Sequence, residues 1–347
     1  MQHMTFGRNN GLRVPEYALG TGTFGTRWGM GAEPDDARRI LDRYADAGGT
    51  FLDTADSYQF GQSEEILGDL LKTTRSRFTL ATKFTNGFDG SVLATGNGRR
   101  NMRTSVEASL RRLGTDYVDL LWVHFPDTVT PIEEIVHGLD DLVRAGKVLY
   151  GGLSNFPAWR TARATTLADL RGLSPIAAVQ YEYSLAERTA DREVLPMADA
   201  LGLGSAQWSP LAGGLLTGKY RESDEGRLTT FGNVIHTEDS ARKTAVVDTV
   251  LKIAEAIGVP PAQVATAWLR ERNSQLTTAA VTIIGPRTTA QLDDYLAALD
   301  LELDDEHYAL LDEVSRVELG EPHDAITKQR DTILGGPGFR DPLVTVA

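Results

Sequence analysis

Eight short apolar runs punctuate this chain, near residues 17–20, 50–53, 79–83, 118–123, 149–153, 177–180, 203–207 and 281–284. Most of the gaps between them carry helical periodicity. Ala37, Ile40, Leu41 and Tyr44 repeat an apolar residue at the three- and four-residue steps of one buried helix face, as do Val106, Leu110 and Leu113. Ile132, Ile135, Val136, Leu139, Leu142 and Val143 are a third and clearer case. Strand–helix alternation of this kind points to parallel pairing through right-handed crossovers. Eight such units predict a closed (β/α)8 TIM barrel rather than an open doubly wound sheet. In such a barrel the C-terminal ends of all strands share one face.

The rest of the chain is read around that barrel. Thr5 to Arg8 and Leu12 to Val14, flanking Asn9-Asn10-Gly11, predict an N-terminal β-hairpin. Residues 212–243 are rich in Gly, Ser, Thr and charge and predict a long loop after the seventh strand. Two helices are expected to follow, near 243–257 and 261–273, with Pro260-Pro261 marking the start of the second. Beyond Leu319 the chain contains Gly320, Pro322, Gly335-Gly336-Pro337-Gly338 and Pro342, which predict an irregular C-terminal tail over the active-site face. Nothing resembles a linker, so residues 1–347 are expected to form one domain.

Composition narrows the function. The 347 residues are 24% charged, with 35 basic against 48 acidic side chains and a formal net charge of −13. Such a surface repels nucleic-acid phosphates and anionic lipid, so neither is an expected partner. No apolar stretch approaches the roughly 20 residues of a membrane helix. The first residues, Met1-Gln2-His3-Met4-Thr5-Phe6, lack the basic start and apolar centre of a secretory signal. Cysteine is absent, which removes disulfides, thiolate metal sites and a cysteine nucleophile and fits a reducing cytoplasm. Nothing in the sequence sets the oligomeric state.

Three successive predicted strands end in ionisable residues. Asp53 follows Phe51-Leu52, Lys83 follows Leu80-Ala81-Thr82, and His124 follows Leu121-Trp122-Val123, while Tyr58 stands on the loop after the first of them. Each alone is compatible with a helix cap, a snorkelling lysine, a packed ring or a core histidine. All four at neighbouring strand ends suggest proton donation to a carbonyl that accepts hydride and develops negative charge on oxygen. A phenol is a sluggish donor near neutrality, and an adjacent ammonium makes its anion easier to form. Asp53 is the natural partner for Lys83, and His124 can hydrogen-bond the substrate oxygen and orient it. No metal is required.

The order and spacing of several stretches resemble the aldo-keto reductase family along almost the whole chain. They are Leu19-Gly20-Thr21-Gly22-Thr23-Phe24, Phe51-Leu52-Asp53-Thr54-Ala55-Asp56-Ser57-Tyr58, Gly61-Gln62-Ser63-Glu64, Ala81-Thr82-Lys83-Phe84 and Val123-His124. Gly146-Lys147-Val148, Leu153-Ser154-Asn155-Phe156, Val179-Gln180-Tyr181, Trp208-Ser209-Pro210-Leu211, Leu216-Thr217-Gly218-Lys219-Tyr220 and Ile283-Ile284-Gly285-Pro286-Arg287 continue the series. The resemblance implies NADPH-dependent reduction of a small-molecule carbonyl. In that reading Tyr58 is the acid, Lys83 and Asp53 tune it, and His124 orients substrate.

The resemblance also implies a cofactor site. Ser154, Asn155 and Gln180 match positions that hold the nicotinamide carboxamide, and Trp208 matches the aromatic on which the ring stacks. Asp53 and the Gly22-Thr23-Phe24 turn border the same site. Ser209, Pro210, Leu211 and Gly213 resemble a loop that wraps the pyrophosphate with backbone amides. Lys219, Arg227, Gly285, Arg287 and Gln291 are placed near the adenosine end, where guanidinium groups suit a 2′-phosphate, so NADP(H) is preferred over NAD(H). Asp294 and Tyr295 depart from the glutamate and asparagine that many relatives carry there. Gly20-x-Gly22-x-x-Gly25 fits the Rossmann letters without the helix or acidic partner that would give them meaning.

Phe24, Trp28, Tyr58, Phe84, Trp122, Phe125 and Phe156 are candidates for an aromatic substrate pocket, with Trp28 on the loop from Thr26 to Gly31. Phe339 and Arg340 in the tail are candidates to cross its opening. Two alternatives to an enzyme stand beside this reading: a binding scaffold, and a cofactor-binding regulatory subunit like the potassium-channel β-subunits. Those subunits typically carry asparagine where this chain has His124, which favours catalysis.

Overall fold

In the computed structural model, which describes residues 1–87, 90–221 and 236–336, eight strands close into a barrel. A two-stranded hairpin precedes them, β1 (His3–Thr5) antiparallel to β2 (Arg13–Pro15). The barrel strands are β3 (Tyr17–Gly20), β4 (Phe51–Asp53), β5 (Thr79–Phe84), β6 (Val118–Val123), β7 (Val148–Ser154), β8 (Ile176–Glu182), β9 (Gly204–Trp208) and β10 (Ala280–Ile284). They pair in chain order, all parallel, and β10 closes on β3. The predicted runs and barrel are therefore present.

Helices cover the outside: α1 (Pro34–Asp46), α2 (Gln62–Leu71), α3 (Arg99–Leu113), α4 (Ile132–Arg144), α5 (Ala158–Arg171), α6 (Val194–Ala200), α7 (Ala241–Ile257), α8 (Pro261–Ser274), α9 (Thr289–Ala297) and α10 (Asp305–Ser315). The helical periodicities found in sequence are the faces buried against the barrel: Ile40, Leu41 and Tyr44 of α1, and Ile135, Val136 and Leu139 of α4.

Side chains on each strand alternate between the barrel interior and the strand–helix layer, as the period of two requires. Phe51, Ala81, Leu120 and Trp122 belong to the interior cluster, with Ala178, Ala206 and Val281 from across the barrel. Their neighbours Leu52, Leu80, Leu121 and Val123 face the helices instead. The hairpin region seals the N-terminal end of this interior. Phe6 sits edge-on to Phe51 at 5.7 Å, and a Cβ at Gly204 would lie 2.6 Å from the Phe6 ring, so β9 needs glycine where it passes the plug.

Two boundaries differ from the sequence reading. The hairpin strand is His3–Thr5 rather than Thr5 to Arg8, because Phe6, Gly7 and Arg8 turn into the barrel base. There the Phe6 N–H donates to the Leu12 carbonyl, and the Arg8 N–H to that of Gly202. The tail is not wholly irregular: α11 (His323–Ile333) is a helix with no buried residue. Its few apolar residues, among them the exposed Ile326 and Ile333, make no core-facing run of the kind that marks the barrel helices. Phe339 and Arg340 lie outside the described residues. Among the described residues no helix is long and apolar enough to cross a membrane.

Candidate active site

Inward alternation carries Asp53, Lys83 and Trp122 to the upper barrel interior, one rung above Phe51, Ala81 and Leu120. The Lys83 side chain is fully buried, and its Nζ donates to Asp53 Oδ2 at 2.5 Å, to the Thr54 carbonyl at 2.8 Å and to the Tyr58 hydroxyl at 3.0 Å. Asp53 is held from its other oxygen too: Trp122 Nε1 donates to Oδ1 at 3.1 Å and Gln180 Nε2 at 2.9 Å. A buried carboxylate with three donors has its charge compensated in place, so it is a fixed anchor rather than a free base. Burial works against the Lys83 ammonium, but Asp53 and Tyr58 outweigh it and hold its pKa above the ordinary lysine value.

His124 follows β6, its backbone N–H donating to the Phe84 carbonyl. Its ring lies edge-on to Tyr58 at 6.0 Å and stacks on Phe125 at 4.7 Å. Burial, and then the charge of Lys83, push its pKa well below the ordinary histidine value, so the imidazole is neutral at pH 7. Its Nδ1 is buried without a hydrogen-bond partner. A neutral ring donates from one nitrogen and accepts at the other.

These groups open onto a cavity of about 660 Å³ across the C-terminal face of the barrel. Asp53, Tyr58, His124, Gly22, Thr23, Trp28, Phe125, Asn155, Gln180 and Trp208 line it, as do Ser209, Pro210, Leu211, Gly213, Lys219, Gly285, Arg287, Gln291, Asp294 and Tyr295. The sequence-derived constellation is thus brought together almost whole. Five expected lining residues are corrected. Phe84 and Phe24 are buried in the strand–helix layer and do not line the cavity. Phe84 cannot share the face of Lys83, its immediate neighbour on a strand. Ser154 is fully buried just behind the wall, its hydroxyl accepting from Asn155 Nδ2 at 3.0 Å. Trp122 and Phe156 are likewise behind the wall. Arg227 lies outside the described residues.

The wall beyond Trp208 is built from backbone that few residues adopt. Asn155, Ser209 and Ala212 have φ of 60°, 61° and 49°, and Gly213 and Gly214 follow at 68° and 104°. Left-handed conformations at non-glycine positions are held only by surrounding contacts. Asn155 has them: its Nδ2 donates to the His124 carbonyl at 2.9 Å and its Oδ1 accepts from Trp208 Nε1 at 3.3 Å. Ser209 Oγ accepts the Gly213 N–H at 3.0 Å, and the Ala212 and Gly214 N–H groups donate to the Ser209 and Leu211 carbonyls, which fixes the turn.

Sequence reasoning missed four contributors. Gln59, itself at φ 51°, donates to the Gly22 and Met30 carbonyls and accepts the Trp28 N–H at 2.7 Å, pinning the Trp28 loop against Tyr58. Gln62 accepts the Thr26 and Arg27 N–H groups of the same loop. Glu182 and His236 also line the cavity, as a pair at 2.8 Å. Among the described residues no group of three or more His, Asp or Glu side chains is placed to hold a metal ion.

The model of the aldo/keto reductase family matches residues 17–316. A norsolorinic acid reductase of Emericella nidulans is 35% identical over 323 residues, covering 90% of this chain and 81% of its own. An uncharacterised oxidoreductase of Bacillus subtilis is 37% identical over 326 residues, covering 90% and 96%. An aryl-alcohol dehydrogenase [NADP(+)] of Phanerodontia chrysosporium is 32% identical over 345 residues, covering 93% and 88%. A barrel of this topology, a lysine–carboxylate–phenol cluster at its rim and similarity over nine-tenths of the chain agree: the protein belongs to the aldo/keto reductase family and is an oxidoreductase.

Proposed function

We propose that the protein reduces aldehydes or ketones with NADP(H), Tyr58 delivering the proton. The observation that carries this is the Tyr58 hydroxyl, 3.0 Å from a buried, ion-paired Lys83, in the wall of the same cavity as Trp208 and the glycine-containing turn after it. The residues present fit a nicotinamide dinucleotide. Trp208 offers a ring face, Asn155 and Gln180 offer amides, the turn from Ser209 to Gly214 offers backbone, and Lys219 and Arg287 offer positive charge.

Bound there, the cofactor supplies hydride to the carbonyl carbon. The protein's own groups handle the oxygen. Neutral His124 donates one ring N–H to it, which orients the carbonyl and draws off developing charge. Tyr58 then protonates it, and the phenolate left behind is stabilised by Lys83, whose Nζ also stands 4.6 Å from the centre of the tyrosine ring. Asp53 keeps Lys83 charged and in place through the cycle. Gln180, donating to Asp53, ties the cofactor wall to this anchor.

Trp28 and Phe125 flank the reacting end, with Phe60 edge-on to Trp28 at 6.5 Å. Arg27, on the Trp28 loop, is paired with Glu65. These surroundings favour neutral aromatic carbonyls, in keeping with relatives named for norsolorinic acid and aryl alcohols. The test is a panel of aldehydes and ketones run with NADPH and with NADH, followed by loss of near-ultraviolet cofactor absorbance. Turnover of aromatic carbonyls with NADPH is expected. Binding of NADPH without turnover of any carbonyl would remove the catalytic reading.

A further inference from the structure

Glu182 is an unexpected residue in a wall meant for an anion. It sits at the end of β8, two residues beyond Gln180 and therefore on the same inward face, and it pairs in register with Trp208. It lines the cavity together with Gly213 and Gly214, of the turn read above as the diphosphate loop, and with Lys219. In a protein of net charge −13, an uncompensated carboxylate there opposes a polyanion. Among the described residues the compensating group is His236: its Nε2 lies 2.8 Å from Glu182 Oε1, and it lines the same cavity.

We propose that His236 and Glu182 belong to the cofactor-binding wall, and that His236 admits the diphosphate by neutralising Glu182 when it carries a proton. The inference rests on the cofactor reading above. Other charged groups facing His236 do not replace this contact. Glu187, on the loop after β8, adds negative charge, and Lys243, in the first turn of α7, opposes protonation. Lys243 is itself paired at 2.9 Å with Asp239, the carboxylate on the segment leading to that helix. The hydrogen bond to Glu182 prevails over burial and over Lys243, and the histidine is protonated to higher pH than usual. A bound diphosphate reinforces this, because proton and anion binding at one site favour each other reciprocally.

The test is equilibrium binding of NADP+ and of NAD+, read by quenching of tryptophan fluorescence, at about pH 6 and about pH 8.5, which bracket the range in which histidines ordinarily titrate. NAD+ lacks the 2′-phosphate, which itself titrates in this range. The unsubstituted protein should bind NAD+ about fivefold to tenfold more tightly at the lower pH, the size of one partly screened charge near a phosphate. His236→Gln should bind weakly throughout, with that pH dependence lost. Glu182→Gln should bind at the higher pH about as tightly as the parent does at the lower, a gain that misfolding cannot produce. Unchanged pH dependence in both variants would overturn the inference while leaving the cofactor site standing. Failure of the parent protein to bind either dinucleotide at any pH would overturn the cofactor reading and this inference with it.

Discussion

Lys83 Nζ stands 3.0 Å from the hydroxyl of Tyr58 and 4.6 Å from the centre of its ring, so one buried cation both donates to the phenol and lies against its π face. Removing only the hydroxyl separates those two contacts. Tyr58→Phe should keep the packing and the cofactor site, because the ring still meets Lys83, Trp28 and His124. It should lower kcat by about 10²–10⁴-fold, the usual contribution of a positioned acid. Titration with NADPH and steady-state rates on one aromatic aldehyde check this. A variant with parental kcat would move the proton donor elsewhere.

Lys83→Met tests the anchor rather than the acid. It leaves Asp53 buried with two neutral donors, Trp122 and Gln180, and no counter-charge. Breaking a buried pair from one side costs about 3–5 kcal/mol. Denaturant unfolding should show that loss. Lys83→Met combined with Asp53→Asn should recover part of it without recovering turnover. If the single and double variants unfold alike, the pair is not what stabilises this end of the barrel.

Asp56, three residues after Asp53, contributes a pH dependence of its own. Burial, and then the nearby Glu64, push its pKa up to about 8, and its Oδ1 has no hydrogen-bond partner. An unfolded aspartate titrates near about 3.9. Between those values the folded protein holds a proton that the unfolded chain has released, so stability falls as pH rises from about 4 to about 8 and levels off above. Asp56→Asn carries no charge to bury. Its melting temperature should exceed the parent's at pH 8, by an amount on the order of a few kcal/mol in stability, and the gap should close towards pH 4. A gap independent of pH would mean that Asp56 is already neutral or already compensated.

The legibility of this site follows the strand period. Asp53, Lys83 and His124 were readable because each ends an apolar run, and parallel strands in a barrel send their ends to one face. The same period argues against Phe84 as a pocket residue, since it follows Lys83 directly and must face the helices; treating the end of a strand as a region rather than a rung is what hid this. Glu182 was equally accessible, two steps past Gln180. His236 was not, because it returns to the cavity after the long segment that follows β9, and nothing local specifies that return. Gln59 escaped for another reason: its role depends on a left-handed backbone at a residue type that rarely adopts one.

Gly152 on β7 carries a packing demand that reaches the site. A Cβ there would lie 2.5 Å from the Trp122 ring and 3.0 Å from the Ala178 carbonyl, and Trp122 donates to Asp53. Gly152→Ala must therefore displace the indole or spread β7 from β8. A loss of about 1–3 kcal/mol is expected, as for overpacked cores, with kcat falling as Asp53 loses a donor. Gly22→Ala is the control. Its Cβ would meet the Tyr58 ring at 3.5 Å, an ordinary contact, so stability should hold while the pocket narrows. Equal stability of the two variants would show that the barrel absorbs the extra methyl at β7.

Arg287 separates the two nicotinamide cofactors. It lines the far end of the cavity beside Gln291, whose Oε1 accepts the Arg287 backbone N–H at 2.8 Å, so the side chain is left to meet a ligand from a fixed backbone. On the same helix as Gln291, Asp294 Oδ1 accepts from Gln263 Nε2 at 3.3 Å, so that carboxylate is already engaged. If Arg287 holds a 2′-phosphate, Arg287→Ala removes a charge-assisted hydrogen bond worth about 1.5–3 kcal/mol. The Kd for NADPH should then rise by about tenfold or more, while that for NADH should stay within about twofold. The ratio of the two constants is the deciding quantity, because damage to the turn around Gly285 would weaken both alike. A parallel rise in both would assign Arg287 to the scaffold and leave the preference for NADP(H) without its main physical support.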